Sequence, residues 1–243
     1  MYKEPPSIIY CERLLVGTIF LRGETVEGTI SKLKRALGFG MPTRVTVDDP
    51  DACKKVAAMM LDHMERLFVP RQPLTLLCIG TDRSTGDCLG PLVGTGLARL
   101  NLPGVTIYGT LESPVHAGNL DDTLRDLSPE EREAVIAIDA CLGKADNVGT
   151  ISVRSGPLSP GSGVNKKLPQ VGHFHIVGVV NVGGFMEYFV LQNTRLNIVM
   201  RLSEVLISGI RLAILEHFGL YSPAQTTPLY PFPWQEYADE AVR

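Results

Sequence analysis

What this chain has little of narrows it first. Its formal net charge is only −3 over 243 residues, so neither nucleic acid nor an anionic membrane is implied as a partner. Five cysteines (Cys11, Cys53, Cys78, Cys88 and Cys141) form an odd set without a CxxC pair. That spacing excludes a zinc ribbon or a disulfide framework and fits reduced thiols in a cytosolic protein. No uninterrupted apolar run has the length of a membrane span. The most apolar stretch, 175–191, is broken by His175, Asn181, Gly183, Gly184 and Glu187. The opening Met-Tyr-Lys-Glu-Pro-Pro lacks a basic region followed by an apolar core, so no secretory leader is expected. A G-x-G-x-x-G turn, a Walker lysine and a G-x-S-x-G elbow are also missing, which argues against nucleotide binding and against a serine nucleophile.

What is present reads as one α/β domain over 46–220, an N-terminal extension at 1–45 and a Pro- and aromatic-rich tail at 221–243. In the extension, 8–21 and 27–37 can be strand and helix. Asp48-Asp49-Pro50-Asp51 opens a helix: Asp48 or Asp49 can cap it, and Pro50 suits its first turn. Val56, Met59, Met60, His63, Met64 and Leu67 recur at helical spacing, and the helix should stop near Val69-Pro70. From there strands are expected at 74–79, 105–108, 135–138, 150–153 and 176–182. Helices are expected at 89–100, 120–127 and 194–218. The strands are continuously apolar rather than alternating, so helices should cover both faces of a mostly parallel sheet in a three-layer αβα arrangement.

Chemistry concentrates in loops at strand ends, where open α/β sheets place their sites. Asp87 lies in the glycine-rich loop 80–91 after the strand 74–79, and Asp139 follows the strand 135–138. Asp87 can also be no more than a helix cap for 89–100, and Asp139 no more than a loop cap. Gly94-Thr95-Gly96 inside the helix reads as close helix–strand packing. The loop 159–167, Ser-Pro-Gly-Ser-Gly-Val-Asn-Lys-Lys, offers glycines for close backbone approach, with Ser162, Asn165 and Lys166 as polar groups. His173 and His175 alternate and so face opposite sides of a strand. Both, and His116, read as satisfied structural histidines. Cys88 and Cys141 read as small buried residues.

Taken together, Gly-Asp-Cys-Leu-Gly-Pro (86–91), Ala-Ile-Asp-Ala (137–140) and Pro-Gly-Ser-Gly-Val-Asn-Lys (160–166) resemble the germination proteases of endospore-forming bacteria. Those are aspartic peptidases with an α/β fold of the phosphorylase/hydrolase-like type, shared with the hydrogenase maturation endopeptidases. With Ile-Gly-Thr-Asp-Arg-Ser-Thr-Gly-Asp (79–87), Leu-Glu-Ser-Pro-Val-His-Ala (111–117) and the run 183–196, the chain is more similar still to sporulation proteins of the YyaC type. The resemblance covers about 50–218. It implies that Asp87 and Asp139 are the catalytic aspartates. In the maturation endopeptidases the matching acids, with a histidine in a Ser-Pro-His segment, contact nickel. Here that segment is Ser159-Pro160-Gly161, so the third ligand is missing, and no metal site and no cofactor are expected.

The expected function is a sporulation-associated peptidase. One aspartate activates water and the other, kept protonated, serves as acid. Gly161, Ser162, Gly163, Asn165 and Lys166 would bind the substrate or its developing oxyanion. The expected partner is a protein or peptide substrate, such as a spore protein, in the cytoplasm of the forespore or spore. A homo-oligomer is left open. The rival reading is a non-catalytic sporulation protein that uses the same cleft, or the runs 116–119 and 181–194, for binding. A nickel-dependent maturation endopeptidase ranks third.

Overall fold

A computed structural model describes residues 43–160 and 168–221. The elements expected at 8–21 and 27–37, the tail beyond 221 and the loop residues 161–167 lie outside them. The described chain runs β1 (Arg44–Thr46), α1 (Ala52–Leu67), β2 (Leu74–Cys78), α2 (Leu89–Ala98), β3 (Val105–Tyr108), α3 (Leu120–Asp126), β4 (Val135–Gly143), β5 (Thr150–Ser155), β6 (Phe174–Val182), α4 (Glu187–Gln192) and α5 (Leu196–His217).

The six strands form one sheet in the order β1-β5-β6-β4-β2-β3. β3, β2, β4 and β6 are parallel to one another, and β5 and β1 add antiparallel strands at one edge. This is the mostly parallel α/β sheet expected, flanked by helices on both sides. The helices are unequally distributed. The apolar residues of α1, α2 and α5 pack with Leu76, Ile136, Ile138 and Ile176 in one large core. The opposite face carries a smaller cluster of Leu77, Ile79, Val135, Ala137 and Val177, under Val115, Leu120, Leu158 and Val171. Alternation along each strand decides the assignment: in β4, Ile136 and Ile138 point to the large core, and Val135 and Ala137 to the small one.

Local chemistry explains the helices. In α1, Val56, Met59, Met60 and Met64 are buried at helical spacing. Its N-cap position is Asp51, which makes no side-chain cap bond. Asp49 serves instead: its carboxylate accepts the Asp51 N–H at 2.9 Å and pairs with Lys55. The helix stops at Leu67, close to the expected break. In α2, a Cβ on Gly94 would lie 2.1 Å from the carbonyl oxygen of Gly109, so only glycine lets the helix approach the end of β3. Gly96 instead faces the tip of Ile207 on α5.

Three parts of the chain differ from expectation, the first being β1, which was not among the strands expected. β4 does not end at Ile138 but continues to Gly143, because β6 stays paired with it as far as Gly143↔Val182 after β2 has left. The helix expected over 194–218 is α5, and it is preceded by a separate six-residue helix, α4, for which no element was expected; Arg195 between them is extended.

Candidate functional site

The site forms where β2 and β4 part. The Ile79 N–H donates to the Ile138 carbonyl at 2.7 Å, and the Gly80 N–H then turns to the Val115 carbonyl at 2.8 Å. Ile79 also bridges Val115 in parallel. Beyond this point β4 has β6 on one side and an open flank on the other. A cleft of about 440 Å³ occupies the gap. The loop after Gly80, the segment after Val115, the extended end of β4, Ser159 and Pro160, and one side of α4 all contribute to its wall.

Asp87 is carried on this loop by a tight turn. The Asp87 N–H donates to the Ser84 carbonyl at 3.0 Å, and the Thr81 N–H donates to the Asp87 carbonyl at 3.1 Å. A short 3-10 turn, Gly86–Cys88, leads into α2. The N-cap position of α2 is Cys88, and no side-chain cap bond forms at either start. Asp87 is therefore not the helix cap that the sequence allowed. Its carboxylate faces the cleft, half-buried.

Asp139 lies inside β4, paired with Val177, rather than past the end of a strand. Its side chain projects to the thinly covered face, in phase with Val135, Ala137 and Cys141. It is only 8% exposed. One carboxylate oxygen accepts the N–H of Ala140 at 2.8 Å. Burial pushes its pKa well above the ordinary carboxylate range, the charge of Asp87 pushes it further, and the Ala140 N–H only partly opposes them. Asp87 is also raised by burial, with the charge of His116 and the Thr81 N–H pulling it back down. The deeper acid thus favours its proton, while the rise that burial gives the shallower one is opposed by His116 and the Thr81 N–H.

His116 is the residue that sequence reasoning missed. It was expected to be structural, yet it lines the cleft beside Asp87. The Gly118 N–H donates to its Nδ1 at 3.0 Å, which places the proton of the neutral ring on Nε2. Its own N–H donates to Asn119 Oδ1 at 2.8 Å, and Asn119 Nδ2 donates to the Pro114 carbonyl at 2.9 Å. The signal was available: His116 follows strand β3 toward the same sheet edge as Asp87 and Asp139. Arg83, Ser84 and Glu187 also line the cleft. The Ser84 hydroxyl is buried and has no hydrogen-bond partner among the described residues.

His173 and His175 are structural, as expected. His173 Nδ1 accepts the Val135 N–H at 3.1 Å, and its ring meets Phe68 edge-on. His175 Nδ1 lies 2.8 Å from the Gly156 carbonyl. Cys88 and Cys141 are pushed up to about 11, chiefly by burial, so both remain inert thiols at neutral pH. The expected substrate residues Gly161, Ser162, Gly163, Asn165 and Lys166 lie outside the described residues. The flanking Ser159, Pro160 and Leu168 line the cleft. Among the described residues, no three His, Cys, Asp or Glu side chains converge so as to hold a metal ion. No helix among them is long and apolar enough to cross a membrane.

Comparison with known proteins adds a family and a relative. Residues 44–209 match the family described as "Protein of unknown function (DUF1256)". The chain is 48% identical over 169 residues to the uncharacterized protein YyaC of Bacillus subtilis (strain 168), covering 69% of this chain and 82% of that protein. Among solved structures, it is similar to a NiFe hydrogenase maturation protease, HycI, from Thermococcus kodakarensis KOD1. That likeness has 17% identity and a TM-score of 0.40, over 65% of this chain and 97% of the other.

Proposed function

We propose that this chain, which belongs to the DUF1256 family, is a peptidase in which Asp87 and Asp139 activate water without a covalent intermediate. The observation that carries the reading is the unequal electrostatics of two carboxylates in one cleft, one deeply buried and opposed by its neighbour's charge, the other beside a histidine. Pairs of acids whose surroundings drive their pKa values apart are suited to dividing acid and base roles.

In this mechanism ionised Asp87 takes a proton from water as the oxygen attacks the scissile carbonyl. Protonated Asp139 gives its proton to the carbonyl oxygen. Collapse of the resulting gem-diol returns one hydroxyl proton to Asp139 and breaks the C–N bond, and the proton taken by Asp87 goes to the leaving amine. His116 beside Asp87 opposes the rise that burial gives its pKa and so favours the ionised form. The N–H groups of 161–163, with Asn165 or Lys166, would hold the substrate carbonyl while charge develops on its oxygen. Positioned acid–base catalysis of this kind contributes about 10²–10⁴-fold. The described residues do not suit nickel: a carboxylate pair without a third converging ligand among them is a poor site for it, and no step passes through a metal.

The motifs at 79–87, 111–117 and 160–166 support a place in sporulation, with a forespore or spore protein as substrate and the forespore or spore cytoplasm as the site of action. The test is to incubate forespore extract with the purified protein and to follow its peptides by mass spectrometry. New cleavage products that disappear with Asp139→Asn are expected. A non-catalytic binding protein has one observation in its favour, the exposed apolar side chains on and before α4. It would be preferred if wild type and Asp139→Asn gave the same peptide map while either pulled down the same partner.

A further inference from the structure

Glu187 is the sole charged residue between 176 and 194. Within this stretch four consecutive or near-consecutive large side chains stand in water. Phe185 is 84% exposed, Met186 59%, Tyr188 63% and Phe189 56%. Isolated apolar residues on a surface need no explanation, but a contiguous group of aromatics does. Met186 also has φ 52°, the left-handed region that a non-glycine residue avoids.

The element that carries this face is fixed to the catalytic loop. A Cβ on Gly86 would lie 2.8 Å from Leu191 and from Thr194 Oγ1, so α4 rests directly on the turn that holds Asp87. Asn181 Nδ2 donates to Thr194 Oγ1 at 3.1 Å and ties the end of α4 to β6. The other side of α4 is cleft wall: Glu187, Tyr188 and Leu191. Tyr188 belongs to both surfaces, so the apolar face and the cleft are continuous. Inside that cleft the Ser84 hydroxyl, on a residue 8% exposed, has no partner among the described residues. A buried polar group without a bond is costly and points to a ligand that completes it.

We propose that the outer face of α4 is the substrate-docking surface, and that the substrate is an extended polypeptide with large apolar side chains beside the bond held in the cleft. Those side chains rest on Phe185, Tyr188 and Phe189, and a main-chain group of the substrate bonds to Ser84 Oγ. This rests on the peptidase reading and names its substrate class. Glu187, the one charged residue of this stretch, disfavours an acidic segment on the face. The absence of lysine and arginine between 176 and 194 disfavours an anionic membrane as the occupant.

The experiment uses the full chain with Asp139→Asn, so that bound peptide is not consumed. Two fluorescent peptides of Ser, Gln and Ala are compared by anisotropy, one with a central Phe-Leu pair and one with Ser-Ser in its place. The apolar peptide should bind at least about 10-fold more tightly, since anchor side chains dominate such interfaces. Phe185→Ser with Phe189→Ser should abolish the preference. Both positions are exposed, so circular dichroism should be unchanged. Ser84→Ala should weaken both peptides by the same factor, about 2–10-fold for one hydrogen bond. Equal binding of the two peptides, or a preference that survives the double substitution, overturns the proposal. So does a dimer in sedimentation that the double substitution dissociates, for the face would then be a contact between copies of this chain. Cleavage is scored separately with both aspartates intact. Docking without cleavage removes the peptidase reading and leaves the surface. Cleavage indifferent to Phe185 and Phe189 removes the surface and leaves the peptidase.

Discussion

The charge of Asp87 raises the pKa of Asp139, a group that burial has already raised well above the ordinary carboxylate range. The effect is directional in its consequences. Asp139 is enclosed in β4 beneath the cleft, whereas Asp87 sits on a loop beside His116. A proton shared by the two therefore resides mainly on Asp139.

Stability should follow this with a definite sign. The folded pKa of Asp139 lies above its unfolded value, so its contribution is fully present below about pH 3.9 and is lost as the pH rises through the folded pKa. Asp139→Asn is uncharged throughout. Its melting temperature should match wild type in acid and exceed it increasingly toward neutral pH. A constant offset at all pH values would show that the carboxyl is not shifted. In addition, ¹³C NMR of Asp87→Asn should find the Asp139 pKa lowered relative to wild type.

Catalysis should depend on the pair as a unit. Asp87→Asn and Asp139→Asn should each lower peptide hydrolysis by at least about 10²-fold. The double variant should be little worse than either, because neither acid works without the other. Full activity in either single variant would end the proposed mechanism.

His116→Gln tests the histidine through a pH profile. The histidine charge lowers the Asp87 pKa, so its removal should raise that pKa and move the acid limb of activity to higher pH. Arg83, Asp139 and Glu187 also line this cleft and are unchanged in the variant. The apparent values belong to the coupled acids together, so the limb is compared between proteins rather than assigned to one residue. A fall in rate without movement of the limb would assign His116 a purely structural role.

Metal affinity should be weak. Calorimetry with nickel and with zinc should find no binding tighter than the micromolar range, about −8 kcal/mol. Stoichiometric, tighter binding that Asp87→Asn abolishes would favour a metal-dependent enzyme.

Packing supplies a contrast within one helix. Gly94→Ala drives a Cβ against the backbone oxygen of Gly109, which cannot step aside, whereas Gly96→Ala meets the tip of Ile207. Denaturant unfolding should show Gly94→Ala losing about 1–3 kcal/mol or more. Gly96→Ala should lose less, offset by up to about 1 kcal/mol of helix propensity.

Much of the architecture was legible in the linear chain. The runs at 74–79 and 105–108 are strands because continuous apolar residues suit a sheet buried on both faces. The helices at 52–67 and 89–98 follow from apolar spacing and from the glycines that let α2 approach the sheet. Asp87 and Asp139 were identifiable as candidates because each follows an apolar strand core. Other features depended on partners remote in sequence. β4 reaches Gly143 only because β6 continues to pair with it, and no local propensity records that. α4 is six residues long without a side-chain cap, too short to be read from periodicity, and it is held by Gly86 and Asn181. His116 resembled a structural histidine because its value lies in proximity to Asp87, which the Ile79–Val115 bridge creates. The sequence by itself thus determined the central strands and the longer helices and marked the two acids, through propensity and apolar patterning, which are local. The tertiary structure alone decided which groups share a cleft, which acid is the deeper, and which apolar face stays in water, because burial and charge interaction are set by distances through space.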